Sequence, residues 1–159
     1  AIDSDVRFGG IAGHDVDMFA DADNWQLPVF WSRWRCRGSA GLDAFAQDWA
    51  DKRLFANPPF VLIARVVAEA RRREVAITLV CQWDPQRLWW PVVQPDAPEA
   101  VAWRRVPADA RNYLVEGEPL LRAPKADVYV VRLDFTLQRQ ECSLRAAALR
   151  RVQAARRRR

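Results

Sequence analysis

Residues Asn57-Pro58-Pro59-Phe60 combine groups that could orient a nucleophile, and they interrupt the apolar run RLFANPPFVLIA at positions 53–64. The two prolines fix the backbone φ angle and remove two N–H donors, so the loop is stiff and its carbonyl oxygens point outward. The Asn57 side-chain oxygen and a proline carbonyl oxygen could accept both hydrogens of one amino group, while the Phe60 ring stacks on a flat heterocycle. Those contacts would localise the nitrogen lone pair and orient it toward an electrophile.

The elements around this loop indicate how it is positioned. Residues 53–56 are typical of a short buried strand, and residues 60–73 repeat apolar side chains at helical spacing with a charged opposite face. Residues 75–83 are rich in β-branched side chains, as in a central strand. This order predicts a βαβ unit with a right-handed crossover, whose loop lies at the carboxyl end of a parallel sheet, where ligands bind. The structural alternative is a plain strand-to-helix turn with proline at the first helical position.

The rest of the pattern predicts one α/β domain. The fold class that we expect is Rossmann-like, a mostly parallel sheet with flanking helices and a basic C-terminal helix. The further elements expected are a short strand at 15–20, a strand or helical turn at 42–49, a short helix within 84–93, short strands or loops at 100–107 and 112–117, and an antiparallel edge strand at 127–136. Along the chain this gives a flexible lead-in at 1–14, the α/β domain at 15–136 and a basic helical tail at 137–159.

The charge of the chain is concentrated at its end. The 159 residues carry a net charge of +5, and residues 145–159 contain seven arginines and no acid. Removing those seven positive charges leaves residues 1–144 at a net charge of −2. A basic tail suits contact with phosphates through counterion release, and the alternative is a solvated terminus. The tail arginines that we name as nucleic-acid-binding candidates are Arg150, Arg151, Arg156 and Arg157.

The cysteines argue against a zinc site and for a reducing compartment. Cys36, Cys81 and Cys142 lie far apart, no CxxC pair occurs, and His14 is the single histidine. A structural zinc site needs about four closely spaced ligands, so we expect no metal. Sparse, odd-numbered cysteines fit an intracellular protein. The sequence contains no apolar run of about 18 residues, so we expect no membrane span.

Arginines alternate with aromatic side chains in a second candidate region. Arg33 and Arg35 flank Trp34, and Trp31 lies just before them. Aromatic rings can stack on bases while arginines neutralise phosphates, so this segment is a candidate nucleic-acid contact. The alternative is that the rings cap a small core.

Acidic residues near the start of the domain suggest two other kinds of enzyme. His14 beside Asp15 could act as a base, although no motif places a nucleophile for it. Asp15, Asp17, Asp21 and Asp23 could belong to a magnesium-dependent nuclease of the RNase H type, which requires several carboxylates around the metal. Such sites draw carboxylates from separate elements, whereas these four fall within one predicted strand and turn.

Several segments in order resemble the phage-type DNA N6-adenine methyltransferase family. They are VDMFA at 16–20, Asn24, LDAFAQDW at 42–49 and the NPPF motif at 57–60. The chain is more similar still to the methyltransferase-like domain of DIRS-type tyrosine-recombinase retrotransposons, which share a DxFA…N…LPxFxSR…GxDAFxxDW…NPPF pattern. The resemblance covers residues 15–93, roughly half of the chain.

The resemblance implies roles for the NPPF residues. Asn57 and Pro58 would hold the amino group of adenine, and Phe60 would stack on the base. A base held in this way is flipped out of its duplex.

The resemblance also implies positions for the cofactor, S-adenosylmethionine. Asp17 and Ala20 would lie in the loop that begins at the end of the first strand, and Asp43 and Asp48 would contact the cofactor or support its loops. A cofactor loop usually carries glycines that let the backbone approach the ligand, and ADADN at 20–24 has none.

Two functions follow from the resemblance. One is an S-adenosylmethionine-dependent DNA adenine methyltransferase, and the alternative is a catalytically inactive DNA-binding module of the same ancestry. In those retroelements the domain is joined to reverse transcriptase and recombinase domains in a polyprotein. The expected partner is therefore DNA, in the nucleus or cytoplasm.

Overall fold

A computed structural model describes residues 13–109, 114–115, 118–119, 125–137 and 144 of the chain. Its strands are β1 (Val16–Asp17), β2 (Trp31–Ser32), β3 (Gly41–Leu42), β4 (Leu54–Ala56), β5 (Ala76–Gln82), β6 (Ala100–Val106), β7 (Leu114–Val115), β8 (Glu118–Pro119) and β9 (Val128–Asp134). Its helices are α1 (Ile63–Arg73) and α2 (Trp90–Val93), with single 3-10 turns at Ala44–Ala46 and Phe60–Leu62. None of the helices among these residues is long and apolar enough to cross a membrane.

A mixed five-stranded sheet organises the domain, in the order β1-β4-β5-β9-β6. Strands β1, β4 and β5 run parallel, with Asp17 opposite Phe55 and Phe55 opposite Thr78. Strand β9 is antiparallel to both β5 and β6. The α/β fold predicted from the sequence is therefore confirmed at the level of a mixed sheet with a parallel half.

The parallel half continues beyond β1. Strand β2 pairs in parallel with β3, and a parallel bridge joins Asp17 to Phe30, the residue before β2. Backbone amides of Asp17 and Ala20 donate to the carbonyl oxygens of Val29 (3.0 Å) and Trp31 (3.1 Å). The parallel strands therefore lie side by side in the order β3-β2-β1-β4-β5. The direction of chain progression reverses between β1 and β4, so the carboxyl ends of these two strands flank a crevice.

The predicted βαβ unit is present as β4, α1 and β5. After Ala56, Pro58 and Pro59 lead into the 3-10 turn, where the Leu62 amide donates to the Pro59 carbonyl oxygen at 2.8 Å. Helix α1 buries the apolar stripe Ile63, Val66, Val67 and Ala70 against the sheet. It ends at Arg73, and the next residue, Glu74, takes a left-handed φ of 54° that caps the helix.

Two predictions about strands are corrected by the fold. The strand expected at 15–20 is limited to Val16–Asp17, because the chain turns into a loop held by the Asp17 carboxylate. Strand β9, expected at the edge, lies between β5 and β6, where Tyr129, Val130 and Val131 are completely buried. The edge position belongs to β6, whose outward residues stay exposed.

The core fills the space between α1, α2 and the sheet. Its largest fully buried side chains include Trp49, Tyr129 and Phe135. The Tyr129 hydroxyl donates to the Val93 carbonyl oxygen at 2.8 Å, which ties the sheet to α2. The predicted basic helical tail lies outside the described residues apart from positions 137 and 144, and the described residues do not support it.

Candidate functional site

A cavity of about 790 Å³ opens at the carboxyl ends of β1, β2 and β3. Its walls come from the loops after these three strands and from the turn that leads into α1. The lining residues are Met18, Phe19, Ala20, Asp21, Ala22, Asp23, Asn24, Ser32, Arg33, Trp34, Cys36, Asp43, Ala44, Phe45, Pro59, Val61, Leu62 and Arg65. The cavity thus combines aromatic rings, three carboxylates and two guanidinium groups.

Asp17 fixes the loop that forms one wall. The carboxylate is buried at the end of β1 and accepts hydrogen bonds from the backbone amides of Gln26 (3.0 Å) and Phe19 (3.4 Å). Burial raises the pKa of Asp17, and the two amide hydrogen bonds partly offset that effect. Asp17 is not among the lining residues, so it supports the loop from behind, whereas Ala20 of the same loop lines the cavity.

The glycine-free turn after β1 closes through its own side chains. The Asp21 carboxylate accepts from the backbone amides of Asp23 (2.9 Å) and Asn24 (3.1 Å), and the Asn24 side-chain oxygen accepts from the Asp21 amide (2.8 Å). The Ala20 amide is already bonded to Trp31. Because these amides already have acceptors within the protein, the loop differs from a glycine-rich loop that points its amides at a phosphate. It presents exposed carboxylates instead.

Asp43 and Phe45 form the wall that follows β3. Asp43 has a left-handed φ of 56°, and its carboxylate accepts from the Phe45 amide at 3.0 Å. The Asp43 amide donates to the Ser32 carbonyl oxygen at 2.9 Å. A non-glycine residue in this backbone region is strained, and such strain is concentrated at functional positions. The Phe45 ring is half-buried and edge-on to Phe19, at 5.7 Å between centres.

Arg73, at the end of α1, holds this wall in place. Its guanidinium donates to the carbonyl oxygens of Phe45 and Gln47, both at 2.6 Å, and lies 4.5 Å from the centre of the Trp49 ring. The buried Trp49 indole N–H donates to the Ala44 carbonyl oxygen at 2.7 Å. The segment LDAFAQDW is therefore bound to the helix that follows the NPPF motif.

The NPPF residues lie at the rim of the cavity, at the carboxyl end of β4. Asn57 is exposed, and in the described part of the chain its side chain makes no hydrogen bond. Pro58 is buried, Pro59 lines the cavity, and Phe60 is 59 % exposed. Of the four motif residues only Pro59 lines the cavity, and the Asn57 amide and the Phe60 ring are exposed beside it.

Arg65 and Phe45 were not identified from the sequence. Arg65 lines the cavity with its guanidinium carbon 3.8 Å from the centre of the Phe45 ring. In the sequence Arg65 belongs to the charged face of α1, which is typical of a solvated side chain. Its contact lies twenty positions away, so no local pattern could have indicated it.

The arginine-rich loop after β2 reaches the same cavity. Arg33 and Trp34 both line it, with the Arg33 guanidinium carbon 4.9 Å from the Trp34 ring centre. Trp34 is 72 % exposed, so it is not part of the core, whereas Trp31 is buried. Arg35 is exposed beside them. The candidates Arg150, Arg151, Arg156 and Arg157 lie outside the described residues.

Asp48 does not reach the cavity. It is exposed and accepts from the Ala50 amide at 2.9 Å, with the Lys52 ammonium 3.9 Å away. Asp48 therefore shapes the turn before β4, while Asp43, the other acid proposed from the same segment, lines the cavity.

The acids considered for a nuclease do not converge. Asp15 lies at the amino end of β1 and pairs with Arg53 at 2.7 Å, and the hydrogen bond from Arg53 lowers the pKa of Asp15. Asp21 and Asp23 lie beyond the carboxyl end of the same strand. Within the described ranges no group of three or more His, Cys, Asp or Glu side chains is placed to hold a metal ion. His14 is buried, with its Nε2 2.8 Å from the Thr78 hydroxyl, as a core histidine would be.

Comparison with known proteins finds no matching family model, curated protein or solved structure. The geometry of the cavity and of its rim is therefore the basis for assigning a function.

Proposed function

We propose that this chain is a Rossmann-like, S-adenosylmethionine-dependent DNA adenine-N6 methyltransferase domain of the kind carried by DIRS-type retrotransposons. One observation carries the proposal: the parallel order β3-β2-β1-β4-β5 puts the cavity and the NPPF motif on the two sides of the crevice between β1 and β4. In doubly wound folds this switch point is where nucleotide ligands bind.

The lining residues fit the proposed cofactor. A volume of about 790 Å³ lies within the range of small-ligand sites, roughly 300–1,000 Å³. Phe19 and Phe45 offer apolar surface to an adenine ring, and the carboxylates of Asp21, Asp23 and Asp43 can accept from hydroxyl or amino groups. A loop whose amides are internally bonded and whose carboxylates are exposed suits a cationic ligand better than a phosphorylated one. When bound, S-adenosylmethionine supplies an electrophilic methyl group on a sulfonium.

The residues at the rim would act on the amino group that receives the methyl. The Asn57 side-chain oxygen and the Pro58 carbonyl oxygen accept its two hydrogens, and Phe60 stacks on the base. S-adenosylmethionine would supply its methyl group to this nitrogen, which Asn57 and Pro58 would hold with its lone pair free. The surplus proton leaves the nitrogen for water. The protein contributes positioning and desolvation rather than covalent chemistry.

A second function, a noncatalytic DNA-binding module, is favoured by the loop after β2. Arg33, Trp34 and Arg35 are exposed there, and together they suit nucleic acid whether or not a cofactor binds. The wider setting stays part of the same proposal: a polyprotein with reverse transcriptase and recombinase domains, in the nucleus or cytoplasm, with tail arginines on DNA phosphates.

Cofactor binding and methyl transfer distinguish the two functions. Calorimetry should detect S-adenosylmethionine binding, and tritium from its methyl group should enter adenine-containing DNA. The Asn57→Ala variant should lose transfer while its affinity for the cofactor stays unchanged, because Asn57 does not line the cavity. Asn57→Asp, which keeps an acceptor oxygen, should retain more transfer than Asn57→Ala. No cofactor binding at millimolar concentration would contradict the enzyme and favour the binding module.

A further inference from the structure

The loop at residues 33–38, between β2 and β3, presents an exposed ring on a rigid support. The buried Ser32 hydroxyl lies 2.7 Å from both the Trp34 carbonyl oxygen and the Ser39 hydroxyl. Gly38 takes a left-handed φ of 85° and packs against the Phe30 ring, where a Cβ would lie 3.6 Å from the nearest ring atom. The backbone beneath Trp34 is therefore fixed before any ligand arrives.

The same loop carries three arginine side chains. Arg33, Arg35 and Arg37 are exposed, and the segment from 33 to 42 contains no acid. Neither Arg35 nor Arg37 makes a hydrogen bond or ion pair within the part of the chain that the structure describes. Such a loop attracts a polyanion, and the exposed indole beside it adds a stacking surface.

We propose that the loop at 33–38 is a stacking platform for unpaired bases, so that the DNA on which this domain acts is single-stranded. The inference rests on the proposed function for its chemistry, but its binding step stands independently. A base can stack on Trp34 only if one of its faces is uncovered, and inside a duplex both faces are covered by neighbouring bases. An unpaired base also avoids the cost of being flipped out of a helix.

The position of Trp34 connects this platform to the reacting site. Trp34 lines the same cavity as Pro59 and Val61, which flank the exposed Phe60 ring. A single strand stacked on Trp34 would therefore run along the rim toward Asn57. We expect binding to depend little on the sequence of the DNA strand, since every base offers an aromatic face to the indole.

Fluorescence anisotropy with the full chain tests the platform, using a labelled single strand of about 16 nucleotides and the matching duplex. Trp34→Ala should weaken single-strand binding by about 5- to 150-fold and leave duplex binding unchanged. Trp103→Ala is the matched control, since Trp103 is 43 % exposed on β6 and does not line the cavity. Arg37→Ala should reduce the slope of log affinity against log salt by about 0.7 on the single strand.

Equal losses on strand and duplex in Trp34→Ala, or an equal loss in Trp103→Ala, would overturn the platform. An assay of labelled methyl transfer tests the stacking platform and the methyltransferase function separately. Transfer to duplex that equals transfer to single strand, and that persists in Trp34→Ala, would overturn the inference and leave the methyltransferase standing. Tight single-strand binding through Trp34 without any methyl transfer would leave the platform standing and contradict the enzyme.

Discussion

The guanidinium carbon of Arg65 lies 3.8 Å from the centre of the Phe45 ring, across the cavity wall. Helical spacing would pair Arg65 with Glu69, four residues on, but Glu69 is bonded to Arg72 and Arg73 instead. Within the described residues Arg65 has no ion pair or hydrogen bond. Arg65 lines the cavity, and its planar guanidinium carries donors that could bind a carboxylate there.

Arg65→Ala should therefore weaken ligands that carry an amino-acid carboxylate. We expect a loss of about 10- to 100-fold in affinity for S-adenosylhomocysteine and little change for 5′-methylthioadenosine, which has the same nucleoside without the amino acid. Calorimetry on both ligands measures the difference, with Arg72→Ala as the control because Arg72 is exposed outside the cavity. An equal loss for the two ligands would show that Arg65 acts on Phe45 and not on the carboxylate.

Arg73→Ala should destabilise the domain more than Arg72→Ala. Both arginines bond to Glu69, but Arg73 also donates to the carbonyl oxygens of Phe45 and Gln47 and covers the Trp49 ring. Losing two charge-assisted hydrogen bonds should lower the free energy of unfolding by about 2–3 kcal/mol. Arg72→Ala removes an exposed ion pair and should cost less. Urea denaturation of the two variants measures the contrast, and similar losses would mean that the Arg73 contacts with the loop add nothing.

The stability of the domain should fall in acid partly through Glu69. Hydrogen bonds from Arg72, and then from Arg73, lower the pKa of Glu69 from 4.5 to about 2. A folded-state pKa below the unfolded value gives stability that is complete above about pH 4.5 and is lost as the pH falls toward 2. The buried Asp17, whose pKa is raised, contributes with the opposite sign, so wild type alone is ambiguous.

The variant Glu69→Gln isolates that contribution. The wild type should exceed Glu69→Gln in free energy of unfolding at pH 6, and the gap should shrink steadily as the pH approaches 2. Urea denaturation across this range measures it. A gap that is constant with pH would mean that Glu69 stabilises the helix without its charge.

Local pattern was enough to predict the unit that carries the motif. The apolar spacing of residues 60–73 and the β-branched run at 75–83 led to α1 and β5, and hence to Asn57 at the carboxyl end of β4. A helix or a strand of this kind is determined by residues close together in the sequence, so the periodicity of apolar side chains indicates it directly. The position of the motif at a cavity rim follows from these elements.

The order of the strands in the sheet, and contacts between residues far apart in the sequence, could not be predicted from local pattern. The alternation at 127–136 indicates a strand but not its neighbours, and the place of β9 inside the sheet depends on pairing with β6, where Arg104 lies opposite Val130. Contacts such as that between Phe45 and Arg65 depend on two segments meeting in space. The same limit explains why Asp43 and Asp48, equal candidates in sequence, are separated by the fold.

Cys36 should report ligand binding through its accessibility. Cys36 is half-exposed and lines the cavity, whereas Cys81 is buried in β5 with its pKa raised to about 12 by burial. Because the thiolate is the reactive form, iodoacetamide at pH 8 should alkylate Cys36 and spare Cys81 in the folded protein. Peptide mass spectrometry resolves each cysteine, and saturating S-adenosylhomocysteine should slow alkylation of Cys36. Unfolding in urea should expose Cys81 as an internal control. Unchanged Cys36 labelling at saturation would place the ligand outside this cavity.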